Sequence, residues 1–330
     1  METRRVFIEK FIIFLVSIMF LSGCKNSRKT YAKIGREPRN VLSLWFSQTG
    51  HTERHGRLIA HTWEKMGFKV TGSEIREFTD KNLNDFDLIL VGTPVFYYNI
   101  PEYVVKWINS LQHLNGTPVA SFVTYGGPEG DQHNAASIIL ELLSEKGGMP
   151  VGMETFMNMG TMPTVWSEKK ISENVWNNRF LPNEETYKRV RAYAGFLINQ
   201  VKQNNLIEVD KKITLRRFAT IFNPIFWTKM GIKKHAINKD QCIQCGTCAN
   251  KCPAKAIDPL TYKVYQDRCV LCFGCINNCP QQAVIMVYND KKLFGFRELL
   301  KRKNIMIKEP EEFQGNSLRG IGIGKAKKTA

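Results

Sequence analysis

Eight of the chain's nine cysteines fall between Cys242 and Cys279, and none lies between Lys25 and Gln241. They form two copies of one pattern. Cys242-Ile-Gln-Cys245-Gly-Thr-Cys248-Ala-Asn-Lys-Cys252-Pro253 is matched by Cys269-Val-Leu-Cys272-Phe-Gly-Cys275-Ile-Asn-Asn-Cys279-Pro280, every cysteine pair at the same offset of 27 residues. Asp240 and Asp267, Asn250 and Asn277, and Ala256 and Ala283 keep that offset too, so the segment is an internal duplication that reaches beyond the thiols. Thiols crowded into so short a span point to bound metal, not to a dispersed disulfide framework.

Paired Cys₄ sites with short C-x-x-C spacing also suit zinc. The third cysteine and the Cys-Pro step in both copies instead resemble the bacterial two-cluster ferredoxins, in which the fourth cysteine of each run crosses to the other cluster. By that resemblance Cys242, Cys245, Cys248 and Cys279 would hold one [4Fe-4S] cluster, and Cys269, Cys272, Cys275 and Cys252 its partner. Zinc has no redox chemistry, whereas soft thiolates on a delocalised iron cluster exchange one electron with little rearrangement.

Upstream, apolar strand-like runs at Val41 to Phe46, Lys69 to Ile75, Phe86 to Gly92, Val119 to Thr124 and Val151 to Phe156 alternate with amphipathic stretches. Glu184 to Gln203 reads as a closing amphipathic helix. Such spacing implies βαβ units in a five-stranded, doubly wound parallel sheet. In that architecture the ligand crevice lies beyond the carboxyl ends of the strands, so the turns after the strands should carry the chemistry.

Those turns are unusual. The first, Ser47-Gln48-Thr49-Gly50-His51-Thr52, offers hydroxyls, a glycine and the free N–H groups of a starting helix, which together suit a phosphate. The second runs Thr93-Pro94-Val95-Phe96-Tyr97-Tyr98-Asn99-Ile100-Pro101 and supplies aromatic faces. The third, Thr124-Tyr125-Gly126-Gly127, supplies backbone. Three such loops in this order resemble the flavin-mononucleotide loops of the flavodoxin family, over roughly residues 39–205. The resemblance implies strand order 2-1-3-4-5, phosphate held by Ser47, Thr49, Gly50 and Thr52, a flavin flanked by Tyr97 or Tyr98, and its pyrimidine edge met by Tyr125 to Gly127. His51 departs from the asparagine of many flavodoxins; its imidazole can still hydrogen-bond a phosphate, and the cationic form would bind one more tightly.

Residues 1–24 have a basic start, an apolar run from Phe11 to Leu21 and a small-residue end, the parts of an export signal too short to span a bilayer comfortably. Thr3-Arg4-Arg5-Val6-Phe7 resembles a twin-arginine signal, and Leu21-Ser22-Gly23-Cys24 a lipobox, which would put a lipid on Cys24 and the protein on the outer face of the cytoplasmic membrane. The opposing reading is an uncleaved anchor facing the cytoplasm, since the lysines and arginines of residues 25–38 resist translocation. A basic and aromatic segment, 206–235, precedes a ferredoxin-like α+β domain at 236–290. Its aromatics are expected to pack where the two domains meet, with membrane contact as the second reading. From 291 to 330 a basic, flexible tail is expected; Gly320 to Lys325 is only superficially similar to a nucleotide loop.

The formal charge of +17 favours an anionic partner. No helix-turn-helix, zinc-finger or RNA-binding signature accompanies it, so an acidic redox protein is a simpler partner than nucleic acid. The whole order resembles flavodoxin–ferredoxin fusion proteins, and implies an electron carrier with FMN and two [4Fe-4S] clusters. The alternative is an FMN-dependent reductase of a quinone or nitro compound, though no catalytic acid–base set is evident; a redox-sensing module would need an effector domain that the sequence does not offer.

Overall fold

The computed structural model describes residues 37–127, 131–210 and 224–314. Near-continuous apolar runs separated by helical stretches fold as parallel strands covered on both faces. Five strands do so here: β1 (Asn40–Trp45), β2 (Lys69–Glu74), β3 (Leu88–Pro94), β4 (Pro118–Tyr125) and β5 (Met149–Met157). Their order is β2-β1-β3-β4-β5, every neighbouring pair parallel, as the sequence predicts, with strand ends shifted by a residue or two. Between and after them run α1 (His51–Lys65), α2 (Glu102–Asn109), α3 (Gln132–Glu145), α4 (Glu173–Asn177) and the closing α5 (Glu184–Gln203).

Successive strand residues face opposite sides. Leu42, Leu44, Ile89 and Val91 therefore pack with α2 and α3, while Val41, Leu88, Leu90 and Phe122 pack with α1 and α5. Helix α5 starts at a reciprocal cap: Asn183 Oδ1 accepts Thr186 N at 3.0 Å, and Asn183 N donates to Thr186 Oγ1 at 3.4 Å. The domain runs past residue 205, because Ile207 N donates to Pro150 O at 2.9 Å.

The cysteine-rich unit begins earlier than the expected residue 236. Helix α6 (Pro224–Gly231) leads straight into β6 (Ile232–Ile237), which pairs antiparallel with β9 (Val284–Tyr288); β10 (Lys291–Lys292) adds the third strand. Short helices α7 (Thr247–Asn250) and α8 (Gly274–Asn278) and the β7–β8 hairpin (Ile257–Asp258, Lys263–Val264) lie between. This is the expected small α+β domain. Of the linker aromatics expected to pack between domains, Phe226 and Trp227 stand 53% and 59% exposed; Phe218 and Phe222 lie outside the described residues.

The expected tail needs a larger correction. Residues 291–314 are built into the molecule, since Leu293, Phe294, Phe296, Leu299 and Phe313 find buried places, helix α9 (Phe296–Arg302) forms, and Glu312 takes a two-toothed contact from Arg191 at 2.7 and 2.9 Å. The signal region, Cys24 and residues 315–330 lie outside the described residues. Everything described belongs to the single unit that starts at Ile34. No described helix is long and apolar enough to cross a membrane.

Candidate metal centres and the crevice beside them

The duplication is visible in the backbone before it is visible in the thiols. Left-handed residues recur at the offset of 27: Gln244 and Leu271, Gly246 and Phe273, Lys255 and Gln282. Each copy bends its chain around a cavity and turns one amide toward sulfur. Ala256 N donates to Cys252 Sγ at 3.1 Å, and Ala283 N to Cys279 Sγ at 3.2 Å.

One cavity is lined by Cys242, Cys245, Cys248 and Cys279 with Ile237 and Pro259; the other by Cys252, Cys269, Cys272 and Cys275 with His235 and Met286. The eight thiols are free of disulfides. Among the described residues no three His, Cys, Asp or Glu side chains close on the position of one ion. The thiols stand around a space instead.

Burial works against the thiolate form. It pushes the Cys248 thiol up to about 11 and the Cys272 thiol to about 12, and holds Cys275 well above its ordinary value. A thiolate in such surroundings needs a positive partner, which cluster iron would supply, while the Ala256 and Ala283 amides would steady the sulfur charge. The residues present fit that group. His235, not foreseen in the sequence, lies buried with Nε2 3.6 Å from Cys275 Sγ.

The two sites differ in access. Cys245 is exposed, beside Ile243 at 62% exposure, and hydrogen bonding to Thr247 at 3.3 Å holds its thiol below the ordinary value. Cys272 is partly buried beneath the first crevice loop, for Gln48 Nε2 donates to Cys272 Sγ at 3.4 Å.

That crevice is assembled where β1, β3 and β4 end. Ser47 Oγ accepts Gly50 N at 3.1 Å, and Gly50 adopts φ 93, which swings α1 away from the strand. Thr52 Oγ1 and Thr124 Oγ1 meet at 2.8 Å and tie the first loop to the third. Thr93 hydrogen-bonds Pro94 O at 3.4 Å, and Asn99 Oδ1 accepts Ile100 N at 2.8 Å inside the second loop. Gly126 presses on Gly160, leaving no room for a Cβ, whereas Gly127 has open space.

The two tyrosines part company. Tyr97 donates to Leu271 O at 3.2 Å and packs with the cysteine-rich core, while Tyr98 is 43% exposed; both hold left-handed backbone. Thr49 and Tyr125 lie partly buried in their loops.

At the start of α1 several buried polar atoms have no hydrogen-bond partner: both ring nitrogens of His51, Arg54 Nη1 and Gln48 Oε1. Arg54 Nη1 lies only 2.9 Å from where a Gly50 Cβ would stand. The Arg54 guanidinium, one N–H of the neutral His51 ring and the helix N-terminus fit an anion of phosphate type, whereas Gln48 Oε1 can only accept. His51 is not the cation that would favour it most, since burial first, then Arg54 and His55, hold its pKa well below 6.5. Sequence reasoning missed Arg54. A cation in the first turn of a helix opposes the macrodipole and asks for an anion; Glu309 supplies one at 2.7 Å.

Arg76 was missed as well. It joins Glu74 at 2.7 Å, Ser47 O at 2.8 Å and Lys251 O at 3.0 Å, and so fastens the first loop to the cysteine-rich unit. On the outer side of the second loop a cleft of about 490 Å³ is lined by Phe96, Tyr97, Ile100 and Tyr103 and floored by Pro253 and Val270, the residues after two ligand-set cysteines.

Comparison with known proteins gives two kinds of match. The 4Fe-4S binding domain family matches residues 235–258. A flavodoxin from Clostridium saccharobutylicum is 33% identical over 110 residues, which cover 32% of this chain and 69% of that protein. Among solved structures, a flavodoxin from the domain Archaea covers 49% of this chain and 99% of its own at 18% identity and TM-score 0.37. A flavodoxin of Streptococcus pneumonia TIGR4 covers the same shares at 16% identity and TM-score 0.38.

Proposed function

This chain belongs to the flavodoxin family and carries a ferredoxin-type 4Fe-4S segment behind that domain, and from this premise we propose that it is an electron carrier holding FMN in the crevice and a [4Fe-4S] cluster in each cysteine cavity. When bound, a flavin accepts electrons in pairs and releases them singly while each cluster passes one, so the pair would join two-electron to one-electron chemistry. The observation that carries the reading is the Gln48–Cys272 hydrogen bond, which puts the candidate phosphate loop in contact with a candidate cluster ligand. Ser47, Thr49, Gly50, Thr52, His51 and Arg54 would bind phosphate; the second and third loops would enclose the ring. The eight cysteines would hold the clusters in the two crossed sets.

The test is anaerobic purification with metal, acid-labile sulfide and flavin analysis, followed by rapid reduction. Iron and sulfide for two clusters, one FMN, and flavin bleaching through the clusters are expected. Zinc in their place, or no flavin, overturns the reading.

The partner we propose is an acidic one-electron protein docking at the exposed Cys245 face, where Ile243 and Leu260 are 62% and 71% exposed. We also propose a lipid on Cys24 that anchors the chain to the outer face of the membrane; mass spectrometry of the N-terminal peptide and protease accessibility in intact cells test lipid and side.

A second reading is supported by the 490 Å³ cleft, whose aromatic walls and size suit a small planar acceptor such as a quinone or nitro compound. Multiple turnover of such a compound by reduced holoprotein, lost when Ile100→Trp fills the cleft, would favour the reductase over the carrier.

A further inference from the structure

The duplicated unit contains its own control, since each position in one copy can be compared with the position 27 residues away in the other. At Cys245 the thiol donates to a hydroxyl of its own loop, Thr247 Oγ1 at 3.3 Å, which would turn to donate to the sulfur once it is a cluster thiolate. The matching position beside Cys272 is Gly274, which has no side chain to offer. A Cβ there would run into the carboxamide of Gln48. The missing hydroxyl is thus replaced by an amide from the other domain, and Gln48 Nε2 donates to Cys272 Sγ at 3.4 Å.

Gln48 is held for this task. It is 4% exposed, its own carbonyl accepts Asn278 Nδ2 at 2.7 Å, and the neighbouring Ser47 carbonyl accepts Arg76 Nη2 at 2.8 Å. Asn278 also breaks the repeat, for its counterpart is Lys251. The departures from symmetry at Gly274 and Asn278 both serve the approach of one glutamine.

Hydrogen bonds to cluster sulfur shift the reduction potential upward, because they favour the more negative, reduced state. We propose that Gln48 is a positioning residue that sets the potential of the inner centre, the one held by Cys252, Cys269, Cys272 and Cys275, and links it to the state of the loop that holds phosphate. This rests on the cofactor reading above. Coupling of this kind is reciprocal, so reduction of the inner centre would change flavin affinity by the same factor by which flavin changes the inner centre's equilibrium.

The test uses full-length holoprotein in redox titrations followed by electron paramagnetic resonance, which reads the two centres separately. Gln48→Leu removes the donor. Gly274→Ala leaves Gln48 in the sequence but displaces its amide with a single methyl group at a helical position. Both are expected to lower the inner midpoint while the outer one stays; the expected change is about tenfold in the reduced-to-oxidised ratio at fixed potential, ~59 mV for a one-electron couple. Removing flavin should move the inner midpoint of the unaltered protein and leave that of Gln48→Leu in place.

An inner midpoint unmoved in both variants overturns the proposal, as does an equal displacement of both centres, which would mark a general loosening. Equal response of the unaltered and Gln48→Leu proteins to flavin removal overturns the linkage. A preparation with clusters and no flavin defeats the crevice reading alone, and the two variants still decide the role of Gln48.

Discussion

Single side chains at the start of α1 decide whether the crevice can take an anion. Arg54 is shared between Glu309 and the empty side of Gly50, so the two partners should act with opposite sign. Arg54→Met is expected to weaken FMN binding by about tenfold to a hundredfold, the size of a charge-assisted hydrogen bond of roughly 1.5–3 kcal/mol. Glu309→Gln should tighten it by freeing the guanidinium. Flavin-fluorescence titration reads both, and equal weakening would reduce Arg54 to a structural partner of Glu309. His55 makes a separate prediction, on stability. It is fully buried, and desolvation lowers its pKa to about 4 from 6.5. Between those values the unfolded chain binds a proton that the folded chain refuses, so stability rises with pH there. The group adds no pH dependence above 6.5, and its contribution is lost as pH falls toward 4, roughly 3 kcal/mol at ~1.4 kcal/mol per unit. Urea midpoints from pH 4.5 to 7.5 should therefore slope less in His55→Leu than in the unaltered protein; an identical slope would remove His55 from the account. The hydroxyl and glycine pattern of Ser47 to Thr52 was legible in the sequence because those residue types are rarely grouped without a turn. Arg54 was not, because a helical arginine reads as a solvated charge until Glu309, 255 residues away, is seen beside it.

At the scale of elements, legibility followed locality. The five strands and α5 announce themselves by their own periodicity, and the cysteine copies by their own repeat. Residues 294–314 do not, because their apolar side chains, some single and some adjacent as at Leu299-Leu300 and Ile305-Met306-Ile307, keep no one period among the charges, and those that are buried meet different distant partners. Trp166 Nε1 donates to Phe294 O at 3.0 Å, Phe296 lies against His51, and Phe313 enters the core beneath α1 and α5 under Arg57. No window of sequence holds that information. The same cause hid the exposure of Phe226 and Trp227, since composition cannot say which face of α6 meets a neighbour. The segment after α9 acts as a strap whose inner end is Phe313. Phe313→Ala leaves a void under a buried ring and should cost roughly 3 kcal/mol, in the range of large-to-small core changes, read as a lowered urea midpoint with an unchanged denaturant slope. It should also loosen Glu309 from Arg54 and so, like Glu309→Gln, tighten flavin retention. A midpoint unmoved by the change would mean that the strap is not part of the cooperative unit.

Across the whole molecule the two cysteine sites are equivalent in sequence and unequal in surroundings. One lies under Gln48, Arg76 and the aromatic loop, where no large partner can approach Cys272; the other opens at Cys245. A route from outside to the crevice therefore begins at the outer site, and its rim should govern the encounter. Lys239 lies over the Tyr262 ring, which joins the turn before Cys242 to the hairpin that carries Pro259 and Lys263. Lys239 and Lys263, both exposed on this rim, should steer an acidic donor by long-range attraction, which acts on association rate and fades when salt shortens the screening length to about 3 Å near 1 M. Replacing Lys239 and Lys263 together by Glu is expected to slow reduction by a small acidic ferredoxin several-fold at low salt, with the two proteins converging at high salt and both cluster midpoints unchanged. Stopped-flow rates over a series of ionic strengths measure this. A variant that is equally fast at every salt concentration would move the port elsewhere. One that is slow at every salt concentration would show that the lysines act through local packing and not through the field.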